Sequence, residues 1–148
     1  VMSLKSGLKK MSKSDPSENS RINMTDGSDE IQKKIKKATS DAELLPGRPE
    51  ELVERPEASN LLGIFAALSD KTLESVCQEF EGKQFSVFKS ALVDIAIAVL
   101  APIGDEMAGL LKNPDYLRGV LKDEYKGDND IAAPILKDVY ESVGFLRT

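Results

Sequence analysis

Lys9-Lys10-Met11-Ser12-Lys13-Ser14-Asp15-Pro16 places three lysines, two serines and a proline in eight consecutive residues. Gly7 lies just before this stretch and the polar run Ser17-Glu18-Asn19-Ser20 follows it. No helical or strand period runs through these residues, so they read as part of a loop spanning residues 5–25. Val1 to Leu4, which alternates weakly, reads as the end of a strand. Closely spaced ammonium groups and hydroxyls suit a polyphosphate. Each lysine brings a mobile point charge with three N–H donors. Serine hydroxyls and free backbone amides add neutral donors. The competing reading is a solvated basic turn, the usual state of a generic Lys/Ser loop.

The charge balance of the whole chain isolates this stretch. The 148 residues carry a net charge of −5. Residues 1–40 hold nine Lys/Arg against five Asp/Glu, whereas residues 41–148 hold eleven against twenty. An acidic remainder argues against a protein that coats nucleic acid, so any RNA contact is a local basic patch. There is no histidine, which removes Ser-His-Asp, Cys-His and HExxH chemistry. Catalysis here must use lysines, carboxylates, backbone donors and a borrowed metal. The single cysteine, Cys77, allows neither an internal disulfide nor a cysteine zinc site and suits a reducing compartment. The longest apolar run, near residues 91–103, is interrupted by Asp94 and reads as short of a membrane span. Val1-Met2-Ser3-Leu4-Lys5 lacks the apolar core of a signal peptide. A valine ahead of a methionine reads as an excised piece. Neither a membrane nor DNA is expected as a partner.

Beyond the loop the pattern is helical. Ser28-Asp29-Glu30 predicts a helix to about Ala38, capped by Ser28, with Ile31 and Ile35 on one face. Lys33, Lys34, Lys36 and Lys37 fill its other faces, either solvated or turned to RNA phosphates. Residues 39–58, with Pro46, Gly47, Pro49 and Pro56, read as a linker or surface loop and the boundary between two parts. Ser59 or Asn60 is expected to cap the next helix. Thr72 caps another, which carries Val76, Cys77 and Phe80 inward and stops at Gly82. Cys77 at that spacing reads as a core residue. A long helix starts near Ser86 and is expected to kink at Pro102, whose ring clashes with the carbonyl of Ala98. Asn113-Pro114 starts a further helix, which Gly127 ends or bends. A last helix runs from Asp128–Asp130 to Gly144. The class is all-α, a bundle of about five or six helices.

Lys10-Met11-Ser12-Lys13-Ser14 is identical to the KMSKS signature loop of class I aminoacyl-tRNA synthetases, and Asp15-Pro16 is typical of the tryptophan enzymes. Ser59-Asn60-Leu61-Leu62, Glu81-Gly82-Lys83, Val87-Phe88-Lys89 and Leu100-Ala101-Pro102-Ile103 also resemble bacterial- or organelle-type tryptophanyl-tRNA synthetases, in order and spacing. The tail Val143-Gly144-Phe145-Leu146 is similar to that family's C-terminus. The resemblance covers the chain but only the C-terminal part of the family's protein. It departs in lacking the histidine motif that opens the family's nucleotide fold.

The resemblance implies a division into two parts. Residues 1–40 are the end of a Rossmann-like catalytic domain with its phosphate loop. Residues 41–148 are a helical anticodon-binding domain. It implies ATP and Mg²⁺ as cofactors, and tRNA(Trp) and L-tryptophan as partners. The tryptophan pocket and most of a homodimer interface belong to the missing half, so the chain alone is not expected to be active. Lys10 and Lys13 are the implied catalytic cations on the β- and γ-phosphates. Ser12 and Ser14 offer donors, Met11 packs on the adenine side and the Val1 backbone lies against the adenine ring. Tyr116, Tyr125, Tyr140 and Arg118 are conceivable anticodon contacts, though each reads first as a surface or edge residue. A bacterial cytoplasm and an organelle matrix both suit the residues. Two alternatives stand beside this reading: a non-enzymatic helical RNA- or protein-interaction module, and the related tyrosyl-tRNA synthetase, against which Met11-Ser12 weighs.

Overall fold

The structure, a computed structural model, describes residues 1–144. The expected Val143–Leu146 tail therefore lies partly outside the described residues. Five α-helices make up most of the described residues: α1 (Ser28–Lys37), α2 (Pro56–Ser69), α3 (Leu73–Phe80), α4 (Phe85–Leu111) and α5 (Pro114–Val143). Two short strands precede them, β1 (Met2–Ser3) and β2 (Ser6–Lys10). They pair antiparallel with Met2 opposite Lys10 and Ser3 opposite Ser6, and an irregularity lies between the two pairs. The loop expected over residues 5–25 is thus shorter. Lys9 and Lys10 belong to a strand, and a 3₁₀ turn covers Glu18–Ser20. Contacts group residues 1–107 into one compact unit and residues from Ala108 onward into a second.

Local chemistry sets most helix ends. Thr72 accepts a hydrogen bond from the Ser75 amide (3.2 Å), and the Asn113 side chain accepts one from the Tyr116 amide (3.2 Å), with Pro114 following as the first helical residue. Gly82 sits at φ +70°, the left-handed region that lets the chain turn out of α3 without a Cβ penalty. Other ends differ from expectation. Ser28 is the first residue of α1, and Gly27 holds the cap position. Helix α2 begins at Pro56 rather than at Ser59 or Asn60, because proline suits a first turn whose amides have no helical partner. Helix α5 runs unbroken through Gly127 and Pro134, so the separate last helix from Asp128–Asp130 is absent. Helix α4 likewise continues through Pro102. At 27 residues α4 is long and apolar enough to cross a membrane by length and composition, contrary to the reading of an interrupted run. Its N-terminal half instead supplies Phe85, Phe88, Leu92, Val93 and Ala96 to the core.

That core joins α1, α2, α3 and the first half of α4. Phe65, Phe80 and Phe88 form its aromatic centre, with ring centroids 4.9–5.7 Å apart and two of the three pairs edge-to-face. Cys77 is fully buried among them, as its spacing implied, and burial pushes its thiol up. Residues 39–58 are no free linker. Leu45, Pro46, Gly47 and Leu52 are buried. The Leu45 amide donates to Lys83 O (3.0 Å) and Leu45 O accepts from the Gly82 amide (2.9 Å). Arg55 grips Asp41 with Nε (3.0 Å) and Nη2 (2.6 Å) while its Nη1 donates to Leu44 O (2.9 Å). Prolines and acids at this density look like a linker in sequence, yet here they form a strap laid over the core.

Lys34 also departs from expectation. It is buried, 3% exposed, and paired with Asp26. Burial pushes the Asp26 carboxyl up, but hydrogen bonds from Lys34 and Asn23 outweigh it and hold the group below its ordinary 3.8. A depressed carboxyl contributes stability that is complete above its unfolded pKa and fades as acid titrates it below 3.8.

The hairpin rests on the start of α2. Asn60 Oδ1 accepts from the Met2 amide (2.9 Å), and Asn60 Nδ2 donates to Met2 O (3.1 Å) and Ser3 O (3.3 Å). The Gly7 amide donates to Glu57 Oε1 (3.2 Å). A Cβ on Gly7 would lie 2.3 Å from the Pro56 carbonyl carbon and oxygen, so only glycine allows this approach. Gly7→Ala should therefore lift the hairpin off α2, costing about 1–3 kcal/mol as overpacked sites do. Faster amide exchange at Met2 and Gly7 would report it, and unchanged protection there would refute it. Asp26→Ala strands a buried ammonium and should cost about 3–5 kcal/mol in urea unfolding. The double variant Asp26→Asn, Lys34→Met should recover most of that loss and flatten the acid limb below pH 3.8.

Candidate functional site

Strand β2 carries Lys9 and Lys10 to its end, and Met11 to Ser17 then leave the sheet as an irregular loop. The side chains of Lys9, Lys10 and Lys13 are exposed, and their ammonium groups make no ion pair or hydrogen bond among the described residues. The loop's only carboxylate, Asp15, is turned inward on the backbone, accepting from the Ser17 amide (2.8 Å). The strand end therefore presents three free ammonium groups with no counter-ion in contact.

The loop is fastened at both ends. At its start the Met11 amide donates to Val1 O (3.4 Å), which brings Val1 and Met11 together as neighbours across the hairpin. At its finish Arg21 makes three contacts: Nη1 to Asp15 O (2.9 Å), Nε to Asn23 Oδ1 (3.1 Å) and Nη2 to Glu18 Oε1 (2.6 Å). The Leu4 amide donates to Ser20 O (2.9 Å), and Leu4 O accepts from the Thr39 amide (2.8 Å), tying the hairpin turn to the loop's far side and to the end of α1. Between these anchors the hydrogen bonds among the described residues are internal to the loop, and Met11 packs against the core. The Ser12 and Ser14 hydroxyls lie 3.0 Å apart, the Ser14 amide donates to Ser12 Oγ (3.3 Å), and the Asp15 amide donates to Ser12 O (3.3 Å).

All six residues singled out in the sequence, Val1, Lys10, Met11, Ser12, Lys13 and Ser14, thus fall on one hairpin-plus-loop element. The two serines face each other, so they must part before both hydroxyls meet a ligand. Val1 also borders a cleft of about 270 Å³ with Met2, Asn60 and Ile64. Sequence reading missed the residues that hold this element in place. Asn60 looked like a helix cap, Glu57 fell in the stretch that read as a linker or surface loop, and Arg21 in the stretch that read as a loop. The only signal for Arg21 was an acid three residues earlier, Glu18. Among the described residues no group of three His, Cys, Asp or Glu is placed to hold a metal.

The other basic candidates sort themselves. Lys33 pairs with Glu30 (3.4 Å), whereas Lys36 and Lys37 are exposed at the end of α1. In the second unit Tyr116 and Tyr125 are exposed, Arg118 pairs with Asp115 (2.6 Å) and Tyr140 is half-buried. None of these is grouped into a site.

A family model described as tRNA synthetases class I (W and Y) matches residues 1–101. The chain is 53% identical over 147 residues to a tryptophan--tRNA ligase of Agrobacterium fabrum, covering 99% of this chain and 42% of that protein. It is 50% identical to a tryptophan--tRNA ligase of Caulobacter vibrioides over 98% of this chain, again covering 42% of the relative. The chain thus spans about 42% of the length of the curated relatives it matches. Among solved structures, a tryptophanyl-tRNA synthetase from Mycoplasma pneumoniae shares the fold, with a TM-score of 0.79, 22% identity, and coverage of 99% of this chain and 46% of that one. With the match running from the hairpin through the loop, the core helices and most of α4, the chain belongs to the class I tRNA synthetases of the W and Y family.

Proposed function

We propose that this chain is the C-terminal part of a tryptophan--tRNA ligase, which activates L-tryptophan with ATP and transfers it to tRNA(Trp). Residues 1–40 close the catalytic domain and carry the ATP-phosphate loop; residues 41–148 form the helical anticodon-binding part. The observation that carries the reading is the unpaired state of Lys10 and Lys13 in a chain with 25 acidic residues. Ammonium groups without protein partners at the end of a strand are available to an anionic ligand. In adenylate formation the amino-acid carboxylate attacks the α-phosphorus and pyrophosphate departs. Charge grows on the leaving group, so cations at that point favour the transition state over the ground state.

In this reading Lys10 and Lys13 hold the β- and γ-phosphates, and Ser12 and Ser14 add donors once they part. Met11 and the Val1 backbone, neighbours across the hairpin, border the adenine. Mg²⁺ would share the phosphate charge with these two lysines. The tryptophan pocket and the homodimer interface are assigned to the part of the protein outside this chain. Every relative named above is a tryptophan enzyme, which supports tryptophan over tyrosine. All are bacterial, which supports a bacterial cytoplasm over an organelle matrix. The match over residues 1–101 also speaks against a helical interaction module.

In the full-length protein, Lys13→Ala should lower the rate of adenylate formation roughly 10²–10³-fold, as loss of a transition-state contact does. The KM for tryptophan should change little. Pyrophosphate exchange measured across tryptophan concentrations checks this, and equal effects on rate and KM would refute the assigned role.

A further inference from the structure

A second cationic feature lies away from the loop. Lys36 and Ser40 at the end of α1, and Phe85, Ser86, Lys89 and Ser90 on the first turns of α4, line a cleft of about 420 Å³. No carboxylate lines it. Lys36 is exposed and unpaired among the described residues. Lys89 is half-buried; its Nζ donates to Ala38 O (2.6 Å) and Ser40 Oγ (3.1 Å). An ammonium has three N–H donors, so one stays unfilled on a residue that borders the cleft. Burial lowers the Lys89 pKa from its ordinary value, which marks an ammonium stripped of water without a compensating anion.

Capping the Ala38 carbonyl at the end of α1 accounts for one Lys89 donor and the Ser40 hydroxyl for a second. It does not account for the missing counter-ion, the free Lys36 beside it, or the serine hydroxyls that complete the lining. Two ammonium groups with neighbouring hydroxyls and no acid match a tetrahedral oxyanion, which accepts several N–H and O–H donors at once. The cleft also begins where the basic first forty residues end.

We propose that this cleft binds a phosphate group, whose two sources are the tRNA backbone and free inorganic phosphate. The tRNA source rests on the proposed function; the phosphate chemistry does not. Lys36 is the residue to change, because it is exposed and its loss leaves the α1 cap intact. Lys36→Gln and Lys36→Glu are compared with the parent chain in two measurements. The first is fluorescence anisotropy with a tRNA(Trp) transcript across a range of KCl concentrations. The second is thermal unfolding in phosphate against chloride at equal ionic strength.

If backbone phosphate fills the cleft, Lys36→Gln weakens tRNA binding about 3–10-fold and flattens the salt slope by about one, and Lys36→Glu weakens it further. If free phosphate fills it, phosphate raises the melting temperature of the parent chain but not of the variants. Either result supports the site. Should the parent bind no transcript, the proposed function is in question, and the phosphate melt still decides the cleft. Unchanged tRNA affinity and slope, together with no phosphate-dependent difference in melting, would overturn the proposal.

Discussion

The structure of the candidate site depends on one contact, the docking of the hairpin on the first turns of α2. Asn60 bonds both the donor and the acceptor sides of the β1 backbone, and Glu57 takes the Gly7 amide. A two-stranded hairpin is marginal in water by itself. It persists here because its backbone groups find partners on a helix that the core already holds. Those partners lie fifty or more positions along the chain. The placement of Lys10, at the end of β2, is therefore decided by residues in what looked like a different part of the protein.

This explains why the site was legible in the sequence while its support was not. Lysines, serines and a proline in one short run carry a local chemical signature. Asn60 carries none: next to Ser59, before an apolar run, it fits the capping rule. The cap rule fails here because Pro56 already starts α2 and the Asn60 side chain serves the hairpin instead. Thr72 and Asn113 obey the same rule and do cap. Lys34 shows the same limit. Helical spacing puts it among solvated lysines, and only the fold brings Asp26 against it. The unbroken α5 shows a third case. Gly127 and Pro134 lower helix propensity locally, but propensity is a weak prior and flanking residues that favour a helix override it.

The cations divide between two tasks. Arg21 and Arg55 each make several directional bonds, and their planar forks suit fixed backbone and carboxylate partners. The lysines of the loop make none. Lys34 and Lys89 lie between these extremes, one paired with an acid and the other holding carbonyl and hydroxyl oxygens. A compact ammonium on a flexible stem is a poor structural strut and a ready ligand for a mobile anion. The rigid cation builds the frame, and the loop's flexible ones stay open to an anion, a phosphate under the proposed function.

Under the proposed function the loop has to approach the nucleotide and later release pyrophosphate. Its anchoring suits that cycle. Val1 O holds the start and Arg21 holds the finish, while the hydrogen bonds of Met11 to Ser14 run only to Val1, Asp15 and one another. Moving Ser12 to Ser14 breaks no core contact, whereas Met11 is half-buried and packs against the core. The change is confined to weak, exposed hydrogen bonds between serines and adjacent backbone, each contributing of the order of 1 kcal/mol or less. An incoming polyphosphate offers those same donors charged acceptors, which make stronger bonds. The exchange favours closure on the ligand, and the departure of pyrophosphate restores the serine pair and the open loop.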